Sequence, residues 1–447
     1  STRHAMQQFS PQALARRLRS LSIADDASLC VAFSGGLDST VLLHALTRIA
    51  GGKLHRLRAA HIDHQLHADS ARWRAHCEAT AEQLGVRFAQ AVVHVECGRE
   101  GLEAAARRAR YAALRELMQE DEILLTAHHA DDQLETMLLG LVRGAGVAGL
   151  SGIPHSQPFG SGSLVRPLLE FTRAELEGWA RAEGLVWLED PSNDNIDLDR
   201  NYLRRSILPA LRQRWPAAAR SASRAGGHLE EAGQLLATLA RTDLATVAVD
   251  ARLDVARLLQ LDPGRRSNVL RYWIRQCGAR TPSTRKLAAI EHDLLPAAAD
   301  RTPCVEWDDV ELRRYRGLLY LDRRLPAFDS VRCLAWDPTT SVELPSGLGR
   351  LRLQSDPAGG LSRQKLASTL EIRFRAGGET LRPSGDAHRR SLKKMLQASG
   401  VPPWRRDRMP LIYSDERLAA VGDLWVAQEF AAQGAASVRI VWEREAV

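Results

Sequence analysis

Several short polar clusters, spaced along otherwise apolar or helical stretches, carry the residue types that do chemistry. The first is Ser34-Gly35-Gly36-Leu37-Asp38-Ser39, which follows the apolar run Val31-Ala32-Phe33 and opens a segment with helical spacing. Paired glycines let a backbone reach positive φ and approach a ligand closely, and the free N–H groups of a helix start attract an anion. The expected chemistry is phosphate binding. No Gly-Lys-Ser/Thr follows, and there is no Gly-x-Ser-x-Gly elbow, so neither γ-phosphate transfer nor serine hydrolysis is indicated. The plainer alternative is a tight turn with Asp38 or Ser39 as a helix cap.

The second cluster is His128-His129-Ala130-Asp131-Asp132-Gln133-Leu134-Glu135. Helical spacing sets Asp131 or Asp132 beside Glu135. Acidic residues in a first turn often do no more than complement the helix dipole. Near a triphosphate they can also hold Mg²⁺, which takes hard oxygen ligands, or pair with a substrate ammonium group. Asp38 and Asp132 are expected on the metal or phosphate side. A zinc pair at His128-His129 is not expected, because adjacent side chains of an extended chain point to opposite faces.

Further candidates are basic or mixed. Glu103-x-x-x-Arg107, with Arg108 and Arg110, reads either as a solvated helix face or as guanidinium groups for phosphate oxygens. His61-Ile62-Asp63-His64 is either a loop with capping groups or a holder of adenine or ribose. Arg389-Arg390-x-x-Lys393-Lys394 contains two of only five lysines in the chain. On one helix these would form two adjacent i, i+4 rows, a positive stripe suited to RNA phosphates, and Trp404-Arg405-Arg406 lies close behind.

The loop Ser34–Ser39 resembles the pyrophosphate loop of the ATP-pyrophosphatase (PP-loop) superfamily. Further segments narrow the likeness: His61-Ile62-Asp63-His64, Glu103-x-x-x-Arg107-x-x-Arg110-Tyr111, Thr126 to Thr136, Glu189-Asp190-Pro191-Ser192-Asn193 followed by Arg200-Asn201, and Pro402-Pro403-Trp404-Arg405-Arg406-Asp407. Together they resemble the tRNA(Ile)-lysidine synthetase family, densely over 28–215, thinly through the middle, and again over 371–430. The resemblance implies a Rossmann-like PP-loop domain of the adenine nucleotide alpha hydrolase kind. It also implies ATP with Mg²⁺ and ligation of free L-lysine to the wobble cytidine of a CAU-anticodon tRNA(Ile) through an adenylated intermediate.

On that basis Ser34 to Ser39, His61 and Asp63 are the expected ATP contacts, and Asp38 and Asp132 the metal ligands. Asp38, Arg107, His128, Asp132 and Glu135 are the expected catalytic groups. Asp131 or Glu135 would orient the lysine amine, and His128 would take its proton. Arg389, Arg390, Lys393, Lys394, Arg405 and Arg406 would contact tRNA. A tRNA thiolase of the same superfamily would be expected to need paired cysteines. The six cysteines instead lie at least 20 positions apart, without a C-x-x-C. An ATP-holding RNA chaperone or sensor is the alternative from a different class.

These residues need elements to carry them. Strands are expected at Leu29–Phe33, Leu57–Ile62, Ala91–Val95 and Ile123–Ala127, alternating with helices near Ser39–Ile49, Ser70–Leu84, Leu102–Met118 and Asp131–Val142. Four βα units in series predict an α/β domain with a parallel sheet, and ligands then bind beyond the carboxyl ends of the strands. The polar clusters fall at those ends. A strand at Leu164–Pro167, a helix opened by the capping box Thr172/Glu175 and a segment Asn201–Arg214 follow. The expected domains are 1–216, a PP-loop catalytic domain; 217–325, mainly helical and tRNA-contacting; 326–340, a linker; and 341–447, a small basic α+β domain with a helix Ser391–Ser399.

Length and composition agree with this division. The chain has 447 residues, 45% hydrophobic and 26% charged, enough for two or more packed cores and unlike a disordered chain. The net charge of +7 is concentrated between Glu371 and Met409, where ten basic residues face four acidic ones. No stretch has the apolar length of a membrane span, and no signal peptide is recognisable at the start of the sequence, so a cytoplasmic protein with reduced thiols is expected.

Overall fold

The structure, a computed structural model, describes residues 8–63, 70–94, 102–189, 199–298, 301–324, 326 and 333–444. It divides into two compact units, Ser1–Leu235 and Leu236–Val447. In the first, the order is α1 (Pro11–Ser20), β1 (Leu29–Ala32), α2 (Leu37–Ala50), β2 (Leu57–Asp63), α3 (Ser70–Gln83), β3 (Arg87–Val92), α4 (Leu102–Leu117), β4 (Ile123–Leu125) and α5 (Ala130–Val142). Then come α6 (Val147–Leu150), β5 (Ser156–Phe159), β6 (Gly162–Val165), α7 (Arg173–Ala182), α8 (Asp199–Tyr202), a π-helical turn Leu203–Ile207, α9 (Leu208–Arg214) and the long α10 (Ala218–Val247).

The six strands form one sheet in the order β3-β2-β1-β4-β6-β5, parallel except for β5 against β6. Consecutive strand residues serve opposite faces. Val31 and Leu125 pack into one core with Phe33, Leu42 and Leu43, while Cys30 and Leu124 join a second with Leu114 and Leu164. Covering both faces is why these strands read as unbroken apolar runs. The chain builds outward from β1 on one side and from β4 on the other. The crevice beyond their carboxyl ends is therefore a topological switch point, where ligands bind in open α/β sheets.

Two strands differ from the reading of the sequence. β3 runs over Arg87–Val92, paired from Arg58↔Arg87 to Asp63↔Val92, rather than over Ala91–Val95. As an edge strand it has no fully buried residue, so the apolar run beside it gave the stronger signal. β5 is an additional strand that the sequence reading did not assign, and as an edge strand it tolerates Pro158. The capping box of α7 is formed: Thr172 N–H donates to Glu175 Oε2 at 2.8 Å, and Glu175 N–H to Thr172 Oγ1 at 3.4 Å.

The second unit opens with β7 (Ala248–Val249), β8 (Arg252–Asp254), α11 (Val255–Leu259), α12 (Pro263–Gln276), α13 (Thr284–Ala289), β9 (Cys304–Trp307), β10 (Val310–Tyr315) and β11 (Leu318–Arg323). The middle of the chain is thus helices packed on a five-stranded antiparallel sheet, β7-β8-β11-β10-β9, around Leu270, Trp273, Ile274 and Leu312. Strands of two and three residues turning at Asp250 (φ 54°) are too short to show a period in sequence.

The tail contains β12 (Leu334–Trp336), β13 (Val342–Glu343), β14 (Arg350–Ser355), β15 (Gly360–Ser362), β16 (Leu370–Arg373), β17 (Thr380–Leu381) and β18 (Arg390–Ser391). α14 (Leu392–Ala398), α15 (Pro403–Arg406), β19 (Leu411–Ser414), β20 (Arg417–Val421), β21 (Trp425–Val426), β22 (Ala431–Ala432) and β23 (Ser437–Glu443) complete it. Two antiparallel sheets, β12-β16-β19-β20-β21 and β13-β14-β23-β15-β22, share one core. The expected linker 326–340 is corrected in its second half, where β12 pairs with β16 and Trp336 is fully buried. Among the described residues, no helix is long and apolar enough to cross a membrane.

Candidate active site

Residues Ser34–Gly36 leave the carboxyl end of β1 and deliver the chain to the N-terminus of α2. Gly35 has φ +80°, and a Cβ there would stand 2.8 Å from Cys77 Sγ and 3.1 Å from Trp73 Nε1, so both conformation and space require glycine. The loop is braced from within. Ser34 and Ser39 hydroxyls lie 3.0 Å apart, Ser39 Oγ accepts from Ser34 N–H at 3.2 Å, and the Trp73 indole donates to the Ser34 carbonyl. His61, buried on β2, donates Nδ1–H to the Phe33 carbonyl at 2.9 Å, and burial lowers its pKa, which keeps the ring neutral. Asp63 is buried at the end of the same strand. His64, Asp190 to Asn193 and the side chain of Glu103 lie outside the described residues.

Beside this loop, the start of α5 gathers four carboxylates: Asp38, Asp131, Asp132 and Glu135. His129, with extended backbone, sits among them. Its Nε2 is 3.6 Å from Asp38 Oδ2 and 3.5 Å from Asp132 Oδ2, and its Nδ1 is 3.7 Å from Asp131 Oδ2. Burial alone would lower its pKa, but Asp132, Asp38 and Asp131 carry it up to about 9. The imidazole is a buried cation. Burial would likewise raise Asp132, yet His129, His128 and Arg204 hold it well below the usual carboxylate range.

The neighbours assign different tasks to the three α5 carboxylates. Asp131 is fully engaged: Oδ1 accepts from Arg212 at 2.7 Å and Oδ2 from the backbone N–H of Arg173, the first residue of α7, also at 2.7 Å. This ties α5 to α7 and α9 and gives each Asp131 oxygen an internal donor, which a substrate amine would have to share. Asp132 Oδ2 accepts from His129 N–H at 3.0 Å and Oδ1 from Arg204 at 2.9 Å, so both its oxygens are also occupied. Glu135 Oε1 accepts from Arg204 Nε at 2.6 Å, while its Oε2 is buried without a donor, and burial raises its pKa. Asp38 Oδ1 is the other carboxylate oxygen of the cluster buried without a donor. Four carboxylates face three cations, His129, Arg204 and Arg212, and the two bare oxygens suit a further cation.

His128 looks toward opposite chemistry. Arg107 and Arg110 lie over the Tyr111 ring at 5.4 and 5.6 Å, and Arg166, 3% exposed on the segment after β6, donates to the Pro154 carbonyl at 2.7 Å. Burial first, and then Arg166, Arg107 and Arg110, push the His128 pKa down to about 3 despite Asp132. Such a ring is neutral and weakly basic. Its Nδ1 is paired with Thr126 Oγ1 at 2.9 Å. Arg166 is buried, Arg110 half-buried and Arg107 exposed, and guanidinium groups gathered in this way are suited to phosphate.

In the tail the expected single helical stripe is not formed. α14 begins at Leu392, and Arg390 belongs to β18. Arg389 pairs with Glu429 at 2.8 Å and Arg390 with Asp386 at 2.8 Å, while Lys393 and Lys394 are exposed on α14. Arg405 and Arg406 are half-buried and bonded to Asp322 and to the Tyr315 hydroxyl. Sequence reasoning missed Arg204, Arg212, Arg166 and the charged state of His129. For Arg204 the nearest signal was Arg200-Asn201 just upstream.

A glycine loop at the switch point of a parallel sheet, with carboxylates beside it, defines a PP-loop nucleotide-binding protein. The PP-loop domain family model matches residues 7–211, the TilS substrate binding domain 253–320 and the TilS substrate C-terminal domain 370–442. A tRNA(Ile)-lysidine synthase of Coxiella burnetii is 40% identical, covering 95% of both chains. Enzymes of the same name from Alkalilimnicola ehrlichii (42%, covering 95% of this chain and 96% of that one) and Pseudomonas putida (43%, covering 88% and 92%) are similar too. The chain belongs to the tRNA(Ile)-lysidine synthase family.

Proposed function

We infer that this chain makes lysidine, joining the ε-amine of free L-lysine to carbon 2 of the wobble cytidine in the CAU anticodon of tRNA(Ile), with ATP as activator. The observation that carries the reading is the pair of bare carboxylate oxygens, Asp38 Oδ1 and Glu135 Oε2, in an acidic cluster beside the phosphate loop. In the first step the cytosine O2 attacks the α-phosphorus of ATP, the bond to the β-phosphate breaks and pyrophosphate leaves. Backbone N–H groups at the start of α2 hold the phosphates, and Arg107, Arg110 and Arg166 offer guanidinium groups to nucleotide or RNA phosphate.

Mg²⁺ fits the Asp38 side, where a hard oxygen lacks a donor; when bound it supplies neutralising charge to the triphosphate. Asp132, with both oxygens taken, is assigned instead to hold His129 and Arg204 in place. In the second step the lysine ε-nitrogen attacks C2, the C2–O bond breaks and AMP leaves. The amine must shed a proton to attack. Glu135, with a raised pKa and a free oxygen, is the better acceptor, and binds the ammonium before taking its proton. Incubation with ATP, lysine and unmodified tRNA(Ile), followed by mass analysis of the wobble nucleoside, tests the reading. The expected product gains one lysine less water, with one AMP and one pyrophosphate released. Exchange of oxygen for sulfur, or pyrophosphate release with an unchanged nucleoside, overturns it.

A further inference from the structure

The segment Pro402–Asp407 is basic and aromatic, which in sequence suggests contact with RNA, but its side chains are spent inside the protein. Trp404 Nε1 donates to Asp322 Oδ2 at 3.1 Å, and Arg405 pairs with Asp322 Oδ1. Arg406 donates from Nη2 to the Tyr315 hydroxyl at 2.9 Å and from Nε to the Val401 carbonyl at 2.8 Å. The Trp404 ring meets Tyr315 and Tyr320 edge-on, with centroids 6.0 and 5.6 Å away, and Arg313 covers it at 5.2 Å. All three partners, Tyr315, Tyr320 and Asp322, stand on β10 and β11 of the middle sheet.

A second strand-to-helix contact points the same way. β10 and β11 are joined by Arg316-Gly317, both with positive φ, the two-residue turn whose twist suits a hairpin. From it Arg316 donates to the Gln397 carbonyl at 2.6 Å, near the end of α14, where helix carbonyls lack partners and a cation is favoured. The hairpin thus grips α14 and α15 together.

We propose that Trp404, Arg405 and Arg406 are a latch that fixes the C-terminal α+β domain to the β10–β11 hairpin, and that they serve tRNA by positioning that domain rather than by touching RNA. The second clause rests on the tRNA reading above. Asp322 separates the alternatives. If these arginines contacted RNA, removing the acid among them would leave tRNA affinity unchanged or tighter. A latch predicts that Asp322→Asn weakens it.

The test compares Asp322→Asn, Asp322→Arg, Arg405→Asp and the Asp322→Arg/Arg405→Asp double variant in the full chain. Hydrogen exchange needs no tRNA and is expected to rise in both 312–322 and 401–409 in each single variant, with partial return in the double. For tRNA, KM is expected to rise about tenfold in the singles, the scale of one lost charge-assisted hydrogen bond, with kcat and ATP binding little changed. Unaltered exchange in Asp322→Asn overturns the latch whatever the substrate. Exchange that rises without any change in tRNA KM leaves the mechanical coupling but overturns its role in tRNA positioning. An Arg405→Asp defect that the double variant does not relieve at all restores direct RNA contact, with ATP binding serving as the control for folding.

Discussion

Replacing His129 by glutamine removes a buried cation from among three carboxylates, and pH decides how much that matters. The ordinary imidazole value is 6.5, and Asp132, Asp38 and Asp131 overcome burial to bring His129 to about 9. A folded pKa above the unfolded one means that the charged ring stabilises the fold fully below about pH 6.5, and that this contribution fades as pH rises through about 9. At about 1.4 kcal/mol per unit, the separation amounts to at most about 3.5 kcal/mol. Near pH 7.5 almost every molecule keeps the proton, whereas an ordinary imidazole would have lost it in about nine of ten. Urea unfolding of wild type and His129→Gln at about pH 6, 7.5 and 9.5 is expected to show a gap that narrows as pH rises. The His129 ring resonance, assigned by its loss in the variant, gives the midpoint directly. A midpoint at or below the ordinary value, or a gap independent of pH, would show that the carboxylates carry the protons instead.

Asp38→Asn is expected to stop pyrophosphate release and to lower stability by only part of the His129 contribution, since Asp38 is one of three carboxylates that hold that charge and its Oδ1 has no protein partner; release at the wild-type rate would remove Asp38 from the metal and phosphate side. Glu135→Gln should still form the adenylated tRNA but slow lysine attack by roughly 100-fold or more, the usual scale of a lost proton acceptor, and equal loss of both half-reactions would count against it. Asp131→Asn should instead cost about 1–3 kcal/mol of stability by weakening its part-buried contacts to Arg212 and α7, with lysine KM nearly unchanged; the reverse pattern would return the amine to Asp131. Replacing Arg389, Arg390, Lys393 and Lys394 by glutamine should make the log-log salt slope of tRNA binding shallower by up to about three units, and an unaltered slope would mark these groups as mere solvated charge.

What could be read from the sequence was what local physics dictates. The phosphate loop was legible because Gly35-Gly36 follows a doubly covered strand, and the α7 start because Thr172 and Glu175 have capping spacing. The helical stripe at Arg389 to Lys394 was misread because i, i+4 spacing says nothing about where a helix begins, and pairing of β17 with β18 holds Arg390 in a strand. Nor does buried charge by itself announce a site. Arg58 grips Glu122 in a buried two-point pair, 3.0 and 2.6 Å, yet it lies at the amino ends of β2 and β4, away from the switch point.

The carboxylates of α5 show why the rest stayed hidden. Asp131, Asp132 and Glu135 share one helical turn, and spacing treats them alike. Their tasks are set by donors far along the chain: the Arg173 N–H and Arg212 for Asp131, Arg204 for Asp132 and Glu135. Arg204 itself lies on a π-helical turn, a departure from the 3.6-residue period that sequence patterns assume, and one often found at functional sites. On the proposed reading, a substrate cation would meet not an acidic motif but the remainder left after the internal cations have taken their share. That remainder is one oxygen on Asp38 and one on Glu135, and only the tertiary fold could specify it.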